Sequence, residues 1–196
     1  MGMSPNNSIA VWDILVRIFH WTLVACFAIA YFLEGEYINL HVLVGSIIVG
    51  LLLFRLIWGF IGTPYSRFAD FLFTPMQVIE HLLSIVRRNN KRVLGHTPAG
   101  SYMIFALLIG LALLTLSGVL MHGLIDNAGP LAGFTANLSY DSEALIREAH
   151  EVLANLLLLM VVLHIGGVLA ESLLHRESLI ISMITGKKRP NSQEEQ

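Results

Sequence analysis

Apolar residues run along this chain in four stretches, each long enough to cross a lipid bilayer as a helix. The stretches extend from about residue 15 to 33, 40 to 61, 102 to 121 and 152 to 174, and a spanning helix needs about 20 mostly apolar residues. None of them alternates between apolar and polar positions, which argues against a membrane β-barrel. The pattern predicts an all-α integral membrane four-helix bundle, with residues 1–190 as a single transmembrane domain and 191–196 as a polar tail.

The loop between the second and third stretches carries an additional, amphipathic helix. Pro75 starts it, and apolar residues follow at helical spacing: Val78, Ile79, Leu82, Leu83 and Val86. Such a helix lies on the membrane surface with its apolar face towards the lipid, or it caps the bundle. The later segment from Gly123 to Tyr140 is rich in Gly, Asn and Ser and is predicted to be irregular.

Basic residues are distributed unevenly over the loops, and this predicts the orientation. They cluster between spans two and three and after span four, at Arg67, Arg87, Arg88, Lys91, Arg92, Arg176, Lys187, Lys188 and Arg189. The loop after span one has Glu34 and Glu36 and no base, and the loop between spans three and four has Arg147 alone. The positive-inside rule therefore places both termini and the second loop in the cytoplasm, with the other two loops in the periplasm.

Composition agrees with a membrane protein and excludes several soluble classes. Hydrophobic residues make up 55 % and charged residues only 13 %, against about 25 % charged in soluble domains. The net charge of −2 and the scarcity of charge argue against a cytosolic enzyme, a disordered chain and a nucleic-acid binder. A single cysteine, Cys26, excludes a disulfide framework, a thiolate zinc site, an iron–sulfur cluster and covalent c-type haem attachment.

Four of the eight histidines fall into two pairs by depth. His150 and His164 are 14 residues apart on one predicted helix, so they share a face and lie about 21 Å apart along its axis. Span one runs outward and places His20 at the inner level, whereas span two runs inward and places His41 at the outer level. The depths therefore pair His20 with His164 and His41 with His150.

Two imidazoles that face each other in a helical bundle commonly ligate the iron of a b-type haem. They fill both axial positions of the iron, which favours electron transfer over oxygen chemistry. Histidines that only form interhelical hydrogen bonds remain an alternative. A zinc site fits less well, because zinc needs its ligands around one point. A proton relay would bring acidic residues into mid-span, and only Glu171 comes near one.

Three arginines are candidates for binding the haem propionates. Arg55 follows His41 by 14 residues and so lies on the same face at the inner level, and Arg17 lies one turn before His20. A buried arginine needs an anion, and the inner propionates or lipid headgroups would supply one. Arg147 is the only base near His150 and is the candidate for the outer propionates.

With these residues placed, the chain resembles the bacterial cytochrome b561 family, including the b-type cytochrome subunits of nickel–iron hydrogenases. The segments that carry the resemblance are VWDILVRIFHW (Val11–Trp21), GTPYSRFADF (Gly62–Phe71), GHTPAG (Gly95–Gly100) and HIGGVLAESLLHRESLIISMITGKKR (His164–Arg189). The resemblance implies a four-helix cytochrome of the bacterial inner membrane with two non-covalent haems b. It implies that His20, His41, His150 and His164 are the ligands of the two haem irons.

The resemblance also implies electron exchange with ubiquinone or menaquinone and with a redox protein. The leading hypothesis is a conduit between the quinone pool and a periplasmic partner such as a c-type cytochrome. Alternatives are a superoxide oxidase that reduces quinone, and a membrane anchor of a larger oxidoreductase; a homo-oligomer stays open. Seven acidic residues in the outer loops favour a basic partner over the superoxide anion: Glu34, Glu36, Asp126, Asp141, Glu143, Glu148 and Glu151.

Overall fold

The structure, a computed structural model, describes residues 8–33, 37–87, 89, 92–136 and 138–190. Its helices are α1 (Ile14–Phe32), α2 (Ile38–Ile61), α3 (Pro75–Val86), α4 (Pro98–Ile125), α5 (Ala132–Thr135), α6 (Tyr140–His175) and α7 (Leu179–Thr185), with a 3₁₀ turn at Phe68–Phe71 and two short strands, β1 (Ile9–Ala10) and β2 (Lys187–Lys188). Glu34, Glu36, Arg88, Lys91 and the predicted tail 191–196 lie outside the described residues.

Four of the helices are long and apolar enough to span a membrane, namely α1, α2, α4 and α6. This confirms the all-α membrane architecture and a multi-pass location in the inner membrane. The helices expose many large apolar side chains, among them Ile18, Leu53, Ile109 and Leu159. Exposed aliphatic side chains at these positions are what a lipid environment requires.

The boundaries of α4 and α6 differ from the sequence prediction, and α4 begins at Pro98 instead of residue 102. Helix α4 continues to Ile125, and α6 begins at Tyr140, so the segment predicted to be irregular is shorter and includes α5. The first turn of α6 contains Asp141 and Glu143. Carboxylates stabilise a helix N-terminus through its dipole, but they interrupt the apolar pattern that marked the span, so the sequence analysis placed its start too late.

Helix α3 confirms the predicted amphipathic helix. It begins with a capping box, in which Thr74 and Gln77 each accept a hydrogen bond from the other's backbone N–H, and Pro75 occupies its first turn. Ile79 and Leu82 are exposed, whereas His81 is buried. The helix therefore offers an apolar face to its surroundings and directs one imidazole inward.

By contact clustering the chain divides into two compact units. The first unit comprises residues up to His20, Arg55–Ile104 and those from Leu163 onward. Within it, Asp13 caps α1 by accepting a hydrogen bond from the Val16 N–H at 2.9 Å. The same side chain accepts hydrogen bonds from Thr63 and Trp58. Burial raises the pKa of Asp13, but these hydrogen bonds outweigh it and hold the pKa below its usual range.

The two short strands bring the two chain ends of the first unit together. Ile9 pairs with Lys188 and Ala10 with Lys187 in antiparallel register. Gly186 precedes this strand in the left-handed conformation, with φ of 81°. A Cβ at that position would lie 2.6 Å from the Trp12 carbonyl oxygen, so only glycine lets the chain leave α7 and pass so close to the start of α1.

The second unit comprises Trp21–Phe54 and Phe105–Val162 and holds the hydrophobic core. Its buried members are Cys26, Val44, Ile48, Leu111 and Leu157. Close packing of α4 on α6 depends on Gly110, because a Cβ there would lie 2.9 Å from Leu157 Cδ2. A hydrogen bond of 2.8 Å from the Tyr31 hydroxyl to the Asn155 side-chain oxygen joins α1 to α6.

Candidate functional site

The second unit brings the rings of His41 of α2 and His150 of α6 close together. Their ring centroids lie 6.1 Å apart, and the ring planes meet at 69°. A metal–imidazole bond is about 2 Å long, and each coordinating nitrogen lies about 1 Å from its ring centre. Two rings that share one metal ion between them therefore have centroids about 6 Å apart, which is the separation observed.

The hydrogen bonds of both rings leave the same nitrogen for coordination. His41 Nδ1 lies 2.9 Å from the Ala30 carbonyl oxygen, which can only accept. His150 Nδ1 lies 2.9 Å from Ser117 Oγ, and that hydroxyl donates its hydrogen to the Leu114 carbonyl oxygen at 2.8 Å. Both Nδ1 atoms therefore carry the proton, and Nε2 of each neutral ring has the lone pair that an axial ligand needs.

The surroundings of the pair provide space for a flat ligand. Gly45 lies one turn after His41, and a Cβ there would have no atom within 4 Å. On the other side Gly118 lets the His150 ring approach α4, since a Cβ there would lie 3.2 Å from His150 Cε1. Orientation of the imidazoles, their tautomers and this open space all fit a haem.

We expect Ser117→Ala to weaken cofactor retention in the second unit. The change removes the acceptor that orients His150, and loss of such a supporting hydrogen bond typically costs about 10–100-fold in metal affinity. The measurement is the rate of haem transfer from the purified protein to excess apomyoglobin. Thr115→Val is the matched control, because the Thr115 hydroxyl donates to carbonyl oxygens of its own helix and not to a histidine of the described residues. Equal rates for the two variants would contradict the prediction.

The first unit holds the other predicted pair, His20 of α1 and His164 of α6. Both side chains are half-buried, and they lie within electrostatic reach of each other. Because α6 is one unbroken helix from Tyr140 to His175, it contributes one histidine to each pair. Among the described residues no group of three or more His, Cys, Asp or Glu side chains is arranged to hold a metal ion, and an axial pair requires only two.

Arg55 is buried in the first unit, where it is only 5 % exposed. Its guanidinium carbon lies 4.7 Å from the centre of the Phe68 ring, and its buried Nη1 has no hydrogen-bond partner among the described residues. A side chain so enclosed does not extend to lipid headgroups, and an arginine with a vacant donor fits an anionic group such as a propionate.

Arg17 also lies in the first unit, where its side chain contacts helix α7. Its Nη2 donates a hydrogen bond to the Ile184 carbonyl oxygen, and its Nε is buried with no hydrogen-bond partner in the described part of the chain. Together with Arg55 it provides two buried N–H donors, which fits the carboxylates of a haem b.

His96, from the GHTPAG segment, lies near Arg55, a placement that the sequence does not predict. Its ring packs between Trp12 and Phe71, with centroid separations of 4.6 and 4.3 Å. Burial, together with the charges of Arg55 and Lys188, lowers the pKa of His96 to about 3. The ring is therefore neutral at physiological pH and acts as a hydrogen-bonding group. In the sequence, His96 is a single histidine beside a predicted turn, and that pattern alone is too weak to predict its burial.

Arg147 is placed differently from the other two arginines. It is exposed, and its Nη2 lies 3.1 Å from Glu143 Oε1 one turn earlier on α6. Exposed pairs of this kind contribute little to stability, so the side chain can exchange partners. Its assignment to the outer propionates stays a prediction.

Comparison with known proteins places these features in a family. Residues 11–186 match the sequence model of a family described as prokaryotic cytochrome b561. A curated relative, described as a probable Ni/Fe-hydrogenase B-type cytochrome subunit from Rhizobium leguminosarum bv. viciae, is 24 % identical over 220 residues, covering 93 % of this chain and 90 % of the relative. No solved structure matches the chain.

Proposed function

Because the chain belongs to the prokaryotic cytochrome b561 family, it is a b-type cytochrome of membrane electron transfer, and we propose that it carries electrons between the quinone pool and a redox protein in the periplasm. In this proposal two haems b are held, one in each unit, by His20 with His164 and by His41 with His150. The observation that supports it best is the 6.1 Å approach of His41 and His150 with both Nδ1 atoms hydrogen-bonded.

Bound haem supplies one-electron redox chemistry, and the residues determine how that chemistry is used. His20 with His164 and His41 with His150 would each hold a haem between two imidazoles, which would leave dioxygen no vacant site on the iron. The second-unit core around Leu157 and Ile48 excludes water. A low dielectric and fixed ligands reduce the rearrangement that accompanies each electron transfer. In the first unit Arg55 and Arg17 would neutralise propionates and favour the reduced state.

The proposed partner surface is the acidic start of α6. Asp141 and Glu148 are exposed there, and Glu143 and Glu151 lie beside them around a shallow cleft. In the orientation predicted from the loop charges this surface faces the periplasm. An excess of carboxylates attracts a basic redox protein and repels the superoxide anion, which supports the conduit over the superoxide oxidase.

We expect electron transfer to a basic c-type cytochrome to slow at least tenfold between low ionic strength and 0.2 M salt. Screening between exposed charges reaches about 10 Å at 0.1 M salt and shortens as salt rises. The triple change of Asp141, Glu143 and Glu148 to the corresponding amides should lower the rate at low salt and flatten the salt dependence. Stopped-flow oxidation of the reduced protein measures both effects.

The control for this experiment is Glu80→Gln, which removes a carboxylate from α3 in the first unit. It should leave the salt dependence unchanged. Two results together would favour the superoxide oxidase over the conduit. They are an electron-transfer rate to the basic cytochrome that does not depend on salt and fast reduction of the unmodified protein by superoxide.

A second candidate function follows from the relative's description as a subunit of a hydrogenase. In that case the chain is the membrane anchor and electron-transfer subunit of a larger oxidoreductase. Purification from the native membrane in a mild detergent distinguishes the two. A catalytic subunit that co-purifies in equimolar amount supports the anchor, and an active cytochrome without one supports the conduit.

A further inference from the structure

A buried carboxylate lies between two imidazoles in the first unit, apart from the haem-ligand candidates. Glu171 Oε1 lies 3.2 Å from Nε2 of His81, and Glu171 Oε2 lies 3.2 Å from Nε2 of His175. The side chains of Glu171 and His81 are only 11 % and 8 % exposed. Each imidazole therefore has a nitrogen next to one oxygen of the carboxylate. We call His81, Glu171 and His175 the proton cluster.

The proton cluster is aligned with a predicted haem ligand. Glu171 follows His164 by seven residues on the continuous helix α6. Seven residues are almost two full turns, so the two side chains leave the same face about 10.5 Å apart along the axis. His175 lies one turn further along that face. A change of charge at His164 therefore acts electrostatically on the cluster over this distance.

A cleft beside α3 gives the proton cluster a route to water. It has a volume of about 300 Å³ and includes His81 in its wall, together with polar side chains of Gln77, Glu80, Ser84 and Asn89. His81 is thus the member of the cluster that borders this polar cleft, which is large enough to hold water. Its buried Nε2 lies 3.2 Å from Glu171 Oε1.

One further charged group acts on the cluster. Lys188 of β2 is buried and interacts electrostatically with Glu171. Burial lowers the pKa of Lys188, and Glu177 and Glu171 raise it in part. His81 from α3, His175 from its own helix and Lys188 from β2 therefore all act on Glu171.

We propose that the proton cluster binds one proton from the cytoplasmic side when an electron is added at the site of His20 and His164. This rests on the proposed function, which supplies the electron from a hydroquinone. The hydroquinone would give one electron to the bound redox group and lose the matching O–H proton to water. In the cluster an N–H or O–H bond would form, and the O–H bond of a hydronium ion from the cytoplasmic side would break and leave water.

The expected coupling follows from Coulomb's law. One charge at about 10 Å and an effective dielectric constant of about 20 changes proton affinity roughly tenfold. The added electron favours the protonated cluster, so reduction becomes harder as the pH rises. A tenfold ratio of proton affinities corresponds to a total change of about 59 mV in the midpoint potential of a one-electron couple.

The experiment is a redox titration of the purified protein in lipid nanodiscs at pH 5.5–8.5, combined with proton uptake on reduction measured with a pH indicator dye. The wild-type protein should take up a fraction of a proton per electron. The midpoint potential of the redox group at His20 and His164 should fall as the pH rises. Glu171→Gln should remove most of both effects, and His81→Gln should reduce them. Asp70→Asn is the matched control, because it removes a carboxylate of the same unit that pairs with Arg67 and lies outside the cleft and the cluster.

The outcomes separate this proposal from the proposed function. If Glu171→Gln and His81→Gln both bind two haems and keep the wild-type proton uptake and pH dependence, the cluster has no such role, and the electron conduit still stands. If no haem binds at His20 and His164, the proposed function is wrong, and the proton-cluster proposal that rests on it is wrong as well. Should Glu171→Gln not fold, His81→Gln and His175→Gln decide the question by the same two readouts.

Discussion

We expect that replacing His20 or His164 by Ala removes one haem and that replacing His41 or His150 by Ala removes the other. Each single change would take away one of the two proposed axial ligands, so both members of a pair should give the same loss. The effect is large, because the remaining imidazole must hold a non-covalent cofactor alone. Haem content per chain, combined with redox titration of what remains, assigns each histidine to the inner or the outer centre.

The control for these four variants is His122→Ala. His122 lies at the end of α4, and its Nδ1 is 2.9 Å from the Asp126 carboxylate, so it should leave both haems bound. If all four ligand variants retain two haems per chain, the ligand assignment is wrong. If His20→Ala and His41→Ala remove the same haem, the pairing by depth is wrong.

Arg55→Leu should make the inner haem harder to reduce. The variant removes a buried positive charge that favours the reduced state, and a unit charge at about 10 Å contributes about 1–2 kcal/mol at an effective dielectric constant of about 20. Since 59 mV corresponds to a factor of ten for one electron, the inner midpoint potential should fall by several tens of millivolts. Spectroscopic redox titration resolves the two haems.

Two further variants make the Arg55 test specific. Arg55→Lys keeps the charge and should restore most of the potential, whereas Arg67→Leu removes an exposed arginine paired with Asp70 at 2.8 Å and should change little. An inner potential that does not move in Arg55→Leu would mean that the guanidinium serves only to pack against Phe68.

The parts of the molecule that sequence predicts well depend on helix periodicity and hydropathy. The four spans and α3 follow from apolar patterns, and the depth of each histidine follows from its position in a span. The ring centroids of His41 and His150 lie 6.1 Å apart, which agrees with the equal depth predicted for these two residues. Their role as ligands stays a prediction. Regular geometry determines these features over many residues, so no long-range contact has to be known.

The parts that sequence could not predict depend on side chains that meet across distant segments. Ser117 and the Ala30 carbonyl oxygen orient the two imidazoles, but only the packed helices reveal them. His96 becomes buried between Trp12 and Phe71 because three separate loops converge. No local pattern in the chain encodes that convergence.

The proton cluster illustrates the same limit. Glu171 and His175 are one turn apart, so their contact follows from helix geometry. Their third partner, His81, comes from a helix some ninety residues earlier in the chain. Its position depends on how α3 packs within the first unit, which hydropathy does not specify.

The most direct test of the account is the haem content and axial ligation of the purified wild-type protein. Pyridine haemochrome analysis should give two haems b per chain, and electron paramagnetic resonance of the oxidised protein should show two low-spin signals typical of bis-imidazole ligation. One haem per chain, or a high-spin signal of comparable intensity, would contradict the account.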